Sequence, residues 1–177
     1  MDFGLISVRY ARALLKAGIE AKVADKVYAD MQILAHSYTT TPALRATIDN
    51  PMLSKKQKED LLLTASAGGS CQLTKRFFDL VLKEDRESIM QFIANSFVSL
   101  YRKHNNLISA KLTTACVIDQ KTEGKMRQLV EGRTNGDVEF ETEVDPNIIG
   151  GFILEYDTYR MDASVKRQLN TILSQLN

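Results

Sequence analysis

Tryptophan is absent from this sequence, and proline occurs only three times in 177 residues. Cysteine occurs twice, as Cys71 and Cys116. A disulfide framework or a structural zinc site needs more sulfur ligands at closer spacing, so neither is expected. No apolar run approaches the roughly 20 residues that cross a bilayer, which argues against a membrane span. The opening stretch has no basic segment followed by a continuous apolar one. No secretory signal is expected, and the cytoplasm is the default compartment. An excess of one charge is also missing: 23 Lys and Arg face 22 Asp and Glu, for a formal charge of +1. A disordered tail would show a larger imbalance, and a protein that binds nucleic acid by counterion release would be more basic. With 44% apolar and 25% charged residues, the chain reads as globular and suited to protein partners. At this length folding buries about 70% of the unfolded surface, enough for one core or two small ones.

Catalytic constellations are missing too. Gly68-Gly69-Ser70 lacks the spacing and the lysine of a phosphate-binding loop. His36 and His104 have no ligating partner at i+3 or i+4 and read as surface or helix-end histidines. Cys71 has no base nearby in sequence, and both cysteines read as structural thiols. Glu84, Asp85 and Glu87 are interrupted by Lys83 and Arg86, which suggests a solvated helix junction. Lys55, Lys56 and Lys58 cluster at a helix start, where a phosphate or nucleic-acid site is conceivable, but no aromatic residues interleave them. No enzyme, cofactor or metal is expected.

What is present is a change of pattern near Asn105-Asn106. Residues 1–104 carry 15 basic and 11 acidic side chains, a net of +4; residues 105–177 carry 8 and 11, a net of −3. Apolar residues upstream recur at helical spacing, and downstream they alternate in twos. Val23, Val27, Met31, Leu34 and Tyr38 define one helix face over about 20–38. Thr41-Pro42 predicts a capping hydroxyl before a short helix that stops near Asn50-Pro51. Ser54-Lys55-Lys56-Gln57 is a capping-box pattern with Leu53 as its staple, and Gly68-Gly69 is placed to end the helix it opens. Leu73, Phe77, Leu80 and Val81 mark a further helix. Asp85 is expected to cap the next one, with Ile89, Phe92, Ile93, Phe97 and Leu100 as its buried stripe. Five clear helices and one short one, on short connections, predict a bundle.

Downstream, Ile108, Ala110, Leu112, Thr114, Cys116 and Ile118 share one face of a predicted strand. Val138, Phe140, Thr142 and Val144 alternate with Glu139, Glu141 and Glu143 in another. Between them Asp119 is placed to cap a helix carrying Met126, Leu129 and Val130. A third strand is expected over Ile148–Tyr156, with a turn at Asp157-Thr158 into Tyr159–Asp162. A last helix follows from about Ala163, with Val165, Leu169, Ile172, Leu173 and Leu176 on its apolar side. The expected architecture is mainly α with a smaller α+β part: a helical bundle over 1–104, then a strand/helix unit over 105–177.

The N-terminal helix is unusual. Arg9, Arg12 and Lys16 form one narrow polar stripe, and Val8, Tyr10, Ala11, Ala13, Leu14, Leu15, Ala17 and Ile19 occupy the rest. That exceeds the apolar arc a surface helix normally buries. Either the helix is enclosed by its neighbours, or Tyr10, Ala13, Leu14 and Ala17 face a partner helix that the small alanines let approach closely.

Arg9-Tyr10-Ala11-Arg12-Ala13-Leu14 resembles the opening motif of the delta subunit of F-type ATP synthase, whose mitochondrial counterpart is the oligomycin-sensitivity-conferring protein. Ile149-Gly150-Gly151-Phe152-Ile153-Leu154, followed by Met161-Asp162-Ala163-Ser164-Val165-Lys166-Arg167-Gln168-Leu169, resembles that family's closing motif. Here Ala163, Asp157 and Gln168 replace residues usual in the family, two glycines and an arginine. The resemblance implies a six-helix bundle and a non-catalytic stator component without cofactors, peripheral on the cytoplasmic face of the bacterial inner membrane. It implies that Tyr10, Ala13, Leu14, Ala17, Phe77, Leu80 and Val81 hold the N-terminal helix of an alpha subunit. The C-terminal unit is implied to hold the b subunit of the peripheral stalk, with Phe152, Leu154, Val165, Lys166, Arg167 and Leu169 as candidates. Neither nucleic acid nor direct membrane insertion belongs to that role. The alternative is an unrelated helical adaptor or nucleic-acid-binding module of similar architecture.

Overall fold

The computed structural model describes residues 3–66, 71–134, 137–156 and 158–176. These are mainly helical, with one small four-stranded sheet. The chain divides into two compact units, Met1–His104 and Asn105–Asn177.

The first unit carries α1 (Phe3–Glu20), α2 (Ala24–Thr40), α3 (Pro42–Ile48), α4 (Lys55–Ala65), α5 (Gln72–Lys83) and α6 (Met90–His104). Its core is made by one face of each long helix: Met31 and Leu34 from α2, Leu62 from α4, Phe78 and Val81 from α5, and Ile93 and Phe97 from α6. The capping box forms as the spacing predicts. Ser54 Oγ accepts from the Gln57 amide, and the Gln57 side chain accepts from the Ser54 amide. Thr41 does not cap α3 with its hydroxyl. Its amide donates to Ser37 O to close α2, so its backbone is committed to the preceding helix, while Pro42 starts α3 as expected.

The junction before α6 also differs from expectation. Asp85 adopts a left-handed conformation (φ 51°), its amide donates to Leu82 O, and its carboxylate meets Lys55 Nζ at 2.7 Å. It therefore ends α5 rather than capping α6, which is entered through a 3₁₀ turn at Glu87–Ile89. The buried stripe of α6 correspondingly adds Met90, Ala94, Val98 and Tyr101, whereas Phe92 is exposed beneath the Arg45 guanidinium and Leu100 is only half-buried.

The acidic junction is not simply solvated. Glu87 accepts from Lys58 Nζ at 2.7 Å, with side chains only 18% and 6% exposed, which ties α4 to the turn before α6. A buried Asp30 accepts from Thr74 Oγ1 at 2.7 Å, joining α2 to α5. Tyr101 donates to Asp25 at 2.6 Å and stacks on Tyr28 at 4.1 Å, joining α6 to α2. The Tyr38 hydroxyl is buried without a hydrogen-bond partner among the described residues, and burial, reinforced by Asp49, pushes its pKa above the ordinary phenol value.

The second unit runs β1 (Leu107–Thr114), α7 (Gln120–Thr134), β2 (Asp137–Val144), β3 (Phe152–Tyr156), β4 (Tyr159–Asp162) and α8 (Val165–Leu176). The sheet order is β2-β1-β3-β4, with β1 parallel to β2 across the α7 crossover and antiparallel to β3. Its core is Ala110, Leu112, Val130, Val138, Leu154 and Tyr156, flanked by Ile108, Ile118, Met126, Phe140 and Phe152. Asp119 caps α7 through the Thr122 amide at 3.2 Å, and hydrogen bonding from the Thr122 side chain first, then from that amide, holds its carboxyl pKa below the usual value.

Three expectations change here. β1 ends at Thr114, whose hydroxyl turns back to donate to Cys116 O at 2.8 Å. Cys116 is exposed, and Ile118 reaches the core from the loop instead. The alternation in β2 buries only Val138 fully; Thr142 and Val144 are exposed because β2 is an edge strand. The third strand begins at Phe152, not Ile148, because Pro146–Ile148 forms a 3₁₀ turn and Ile149 and Gly151 both have positive φ (70° and 75°). At Gly151 an added Cβ would lie 2.2 Å from Ala163 O, so glycine is required there. Gly68-Gly69, expected to end α4, and Asp157, expected in the hairpin turn, lie outside the described residues, as do the side chains of Leu129 and Leu176.

Candidate interaction surfaces

α1 is not enclosed by its neighbours. Ser7, Ala11, Leu14 and Gly18 are buried at helical spacing, and the helix packs chiefly on α6. Ile6, Tyr10, Ala13 and Ala17 repeat at i, i+4, i+7 and i+11 on an adjacent face, and none of them is fully buried. That face and α5 bound an open groove of about 510 Å³. Ala13 and Ala17 keep the α1 wall of this groove low.

Six of the seven residues named for this surface come together. Tyr10, Ala13, Leu14 and Ala17 line one wall, and Phe77 and Leu80 line the other. Tyr10 meets the Phe77 ring edge-on at 6.3 Å between centroids, forming the floor. Leu80 projects from α5 and is 48% exposed. Val81 is the exception: it is fully buried in the core behind the wall, one position round the helix from Leu80, and does not line the groove. Sequence reasoning missed Ile6, Leu73, Arg9, Arg76 and Arg86 as lining residues. Ile6 lies four residues before Tyr10 and Leu73 four before Phe77, so periodicity carried a signal for both. Arg86 follows α5 in a turn, and nothing local announces that its guanidinium sits 5.7 Å over the Tyr10 ring.

The six residues named in the second unit do not form one surface. Leu154 is in the core, and Phe152 packs against it. Val165 rests against Gly150, while Lys166 and Arg167 are exposed. Leu169 is 46% exposed and continues into Ile172 and Leu173, at 54% and 59%, as an uncovered apolar stripe along α8. The start of α8 is held tightly. Asp162 Oδ1 accepts from the Ser164 amide at 3.0 Å and from its hydroxyl at 2.6 Å, and Ser164 Oγ accepts from the Arg167 amide. Those bonds hold the Asp162 carboxyl below its ordinary pKa. A hollow of about 410 Å³ lies between the end of β1, α7 and the Ile149–Phe152 loop.

Two of the three lysines in the cluster are tied into the fold, Lys55 by Asp85 and Lys58 by Glu87, while Lys56 is exposed. Among the described residues no group of three or more His, Cys, Asp or Glu is arranged to hold a metal ion. His36 and His104 are exposed and Cys71 is buried.

Comparison with known proteins finds relatives along nearly the whole chain. The sequence model of the family described as ATP synthase delta (OSCP) subunit matches residues 6–176. The chain is 43% identical over 176 residues to ATP synthase subunit delta of Phocaeicola vulgatus, covering 99% of this chain and 95% of that one. It is 38% identical over 177 residues to the same subunit of Bacteroides thetaiotaomicron, with the same coverage. In the cryo-EM structure of the Toxoplasma gondii mitochondrial ATP synthase hexamer, one chain shares the fold with a TM-score of 0.68 at 21% identity, covering 96% of each chain.

Proposed function

The chain belongs to the ATP synthase delta (OSCP) subunit family, and from that premise we propose how it joins its neighbours. It is a non-catalytic stator subunit of the ATP synthase. In our reading, residues 1–104 act as a six-helix bundle whose α1/α5 groove takes the N-terminal helix of an alpha subunit at the catalytic head. Residues 105–177 hold the end of the peripheral-stalk b subunit, and the exposed stripe of α8 is the surface they offer. The subunit then works at the cytoplasmic face of the bacterial inner membrane without entering it. No helix among the described residues is long and apolar enough to cross a membrane.

The observation that carries the reading is the groove itself. Tyr10, Ala13, Leu14, Ala17, Phe77 and Leu80 present a continuous apolar trough with small residues on one wall. A helix laid in such a trough gains durable apolar contact without any group that titrates near neutral pH. Resistance to rotor torque needs that kind of contact at two places on one chain, and tethering makes the second contact effectively intramolecular.

The experiment is binding of an alpha-subunit N-terminal peptide to the full chain and to a Tyr10→Asp, Leu80→Asp variant whose circular dichroism is unchanged. Affinity falls at least about tenfold, the equivalent of 1.4 kcal/mol; unchanged affinity overturns the groove assignment. The nucleic-acid alternative is less favoured, because Lys55 and Lys58 each have a carboxylate partner within the fold.

A further inference from the structure

We propose that Arg9, Arg76 and Arg86 make the α1/α5 groove selective for an amphipathic helix whose apolar stripe is flanked by carboxylates. This rests on the groove reading above and adds the chemistry of the occupant. The groove is lined by three arginines and by no Asp or Glu. Among the described residues none of the three joins an ion pair. Elsewhere in the same unit Arg45, Lys55, Lys58 and Lys83 each have a carboxylate partner. Among the described residues the three cations at the groove thus have no carboxylate partner of their own.

Position makes them selective. Arg86 lies over the Tyr10 ring at 5.7 Å, and Tyr10 in turn meets Phe77, so a guanidinium is held at the border of the apolar floor. A purely apolar helix docked there would strip water from the arginines and offer nothing in return. A basic helix would add repulsion. A carboxylate on either flank of the stripe makes charge-assisted, bidentate bonds with a planar guanidinium. The lined part of α1, from Ile6 to Ala17, spans about 16 Å, so the occupant engages about three helical turns.

The test uses two synthetic helical peptides with the same Leu/Ile stripe, one with Glu and one with Lys at the flanking positions. Each is titrated into the full chain by fluorescence anisotropy at low and high salt. The Glu peptide binds at least about tenfold tighter at low salt, and the gap narrows as salt rises. Arg9→Glu with Arg76→Glu, both at exposed positions, reverses the preference, and Arg86→Gln weakens it. Equal affinities, or a gap that the arginine changes leave untouched, overturn the proposal. A Leu80→Asp control separates the two readings. If it abolishes binding of both peptides and no charge preference exists, the groove stands and the arginine selectivity falls. If it changes neither peptide, the groove reading falls and takes this proposal with it.

Discussion

The two units of this chain leave apolar surface exposed in opposite ways. In the first, six helices bury their main stripes, and what remains open is a concave trough between α1 and α5, with Leu80 projecting into it. In the second, a four-stranded sheet and α7 enclose a small core, and what remains open is a convex stripe on α8 made of Leu169, Ile172 and Leu173. Polar groups divide the same way. Beside exposed pairs such as Lys55–Asp85, the first unit also buries Lys58–Glu87 and Asp30–Thr74. The second keeps its ion pairs, such as Lys111–Glu143 and Arg160–Glu155, on the surface. The contrast fits the proposal above, in which a concave surface takes a helix in the first unit and an exposed helix face is offered by the second.

The contrast is testable at single positions. The largest effect is expected at Glu87→Ala, which leaves the Lys58 ammonium buried without its partner. Denaturant unfolding of the full chain should show a loss of about 3 kcal/mol, and a loss near that of an exposed pair such as Arg160→Ala would erase the distinction. Gly151→Ala should cost about 2 kcal/mol in the second unit, because the methyl group meets Ala163 O and φ is positive. A crystal or NMR structure of that variant should show the Ile149–Phe152 loop displaced from the start of α8.

Tyr38→Phe removes a buried hydroxyl that has no partner among the described residues. We expect a gain of up to about 1 kcal/mol in thermal or urea unfolding, because desolvation of the hydroxyl is unrewarded. Leu173→Ser should change stability by less than about 0.5 kcal/mol, as at other exposed sites, while weakening the b-subunit contact proposed above. A large loss of stability would mean that the α8 stripe is needed by the fold itself. The finest test concerns Asp162, whose carboxyl is held below its ordinary pKa by Ser164. A depressed folded-state pKa contributes stability above the unfolded value, near 3.9, and that stability is lost as pH falls through the folded value. Asp162→Asn should therefore be less stable than the parent at pH 6 and approach it below about pH 4 in urea midpoints.

Much of the local structure was legible before any coordinates. The capping box at Ser54 and Gln57, the Asp119 cap and the Val27, Met31, Leu34 and Tyr38 face of α2 each follow from residues within a turn or two of one another. The misreadings have a common cause. Asp85 has the right chemistry for a cap but is recruited by Lys55, thirty positions away. Thr41 has a capping hydroxyl, but its backbone is already closing α2. Cys116 and Ile118 continue an alternating pattern that the Thr114 hydroxyl interrupts by bending the chain.

The candidate surface was half legible. Spacing alone put Tyr10, Ala13, Leu14 and Ala17 on one side of α1, and the same periodicity extends to Ile6, which the sequence reading left out. Whether that side was enclosed or open was a question about α5, which periodicity within α1 does not address. Val81 shows the converse. It sits beside Leu80 in sequence, but a helix turns about 100° per residue, so one projects into the groove while the other is sealed behind it.

The sequence by itself determined which residues share a face and where the spacing changes from helical to alternating near Asn105-Asn106. Hydrophobic periodicity and capping are local, so they can be read along the chain. Only the tertiary structure decided which faces are covered. It closed α2 and α6 on each other, left an open groove between α1 and α5, and matched Lys58 to Glu87 while leaving three arginines around an apolar trough. Burial and ion pairing depend on which segments meet in space, and that is a property of the packed fold rather than of any one stretch of sequence.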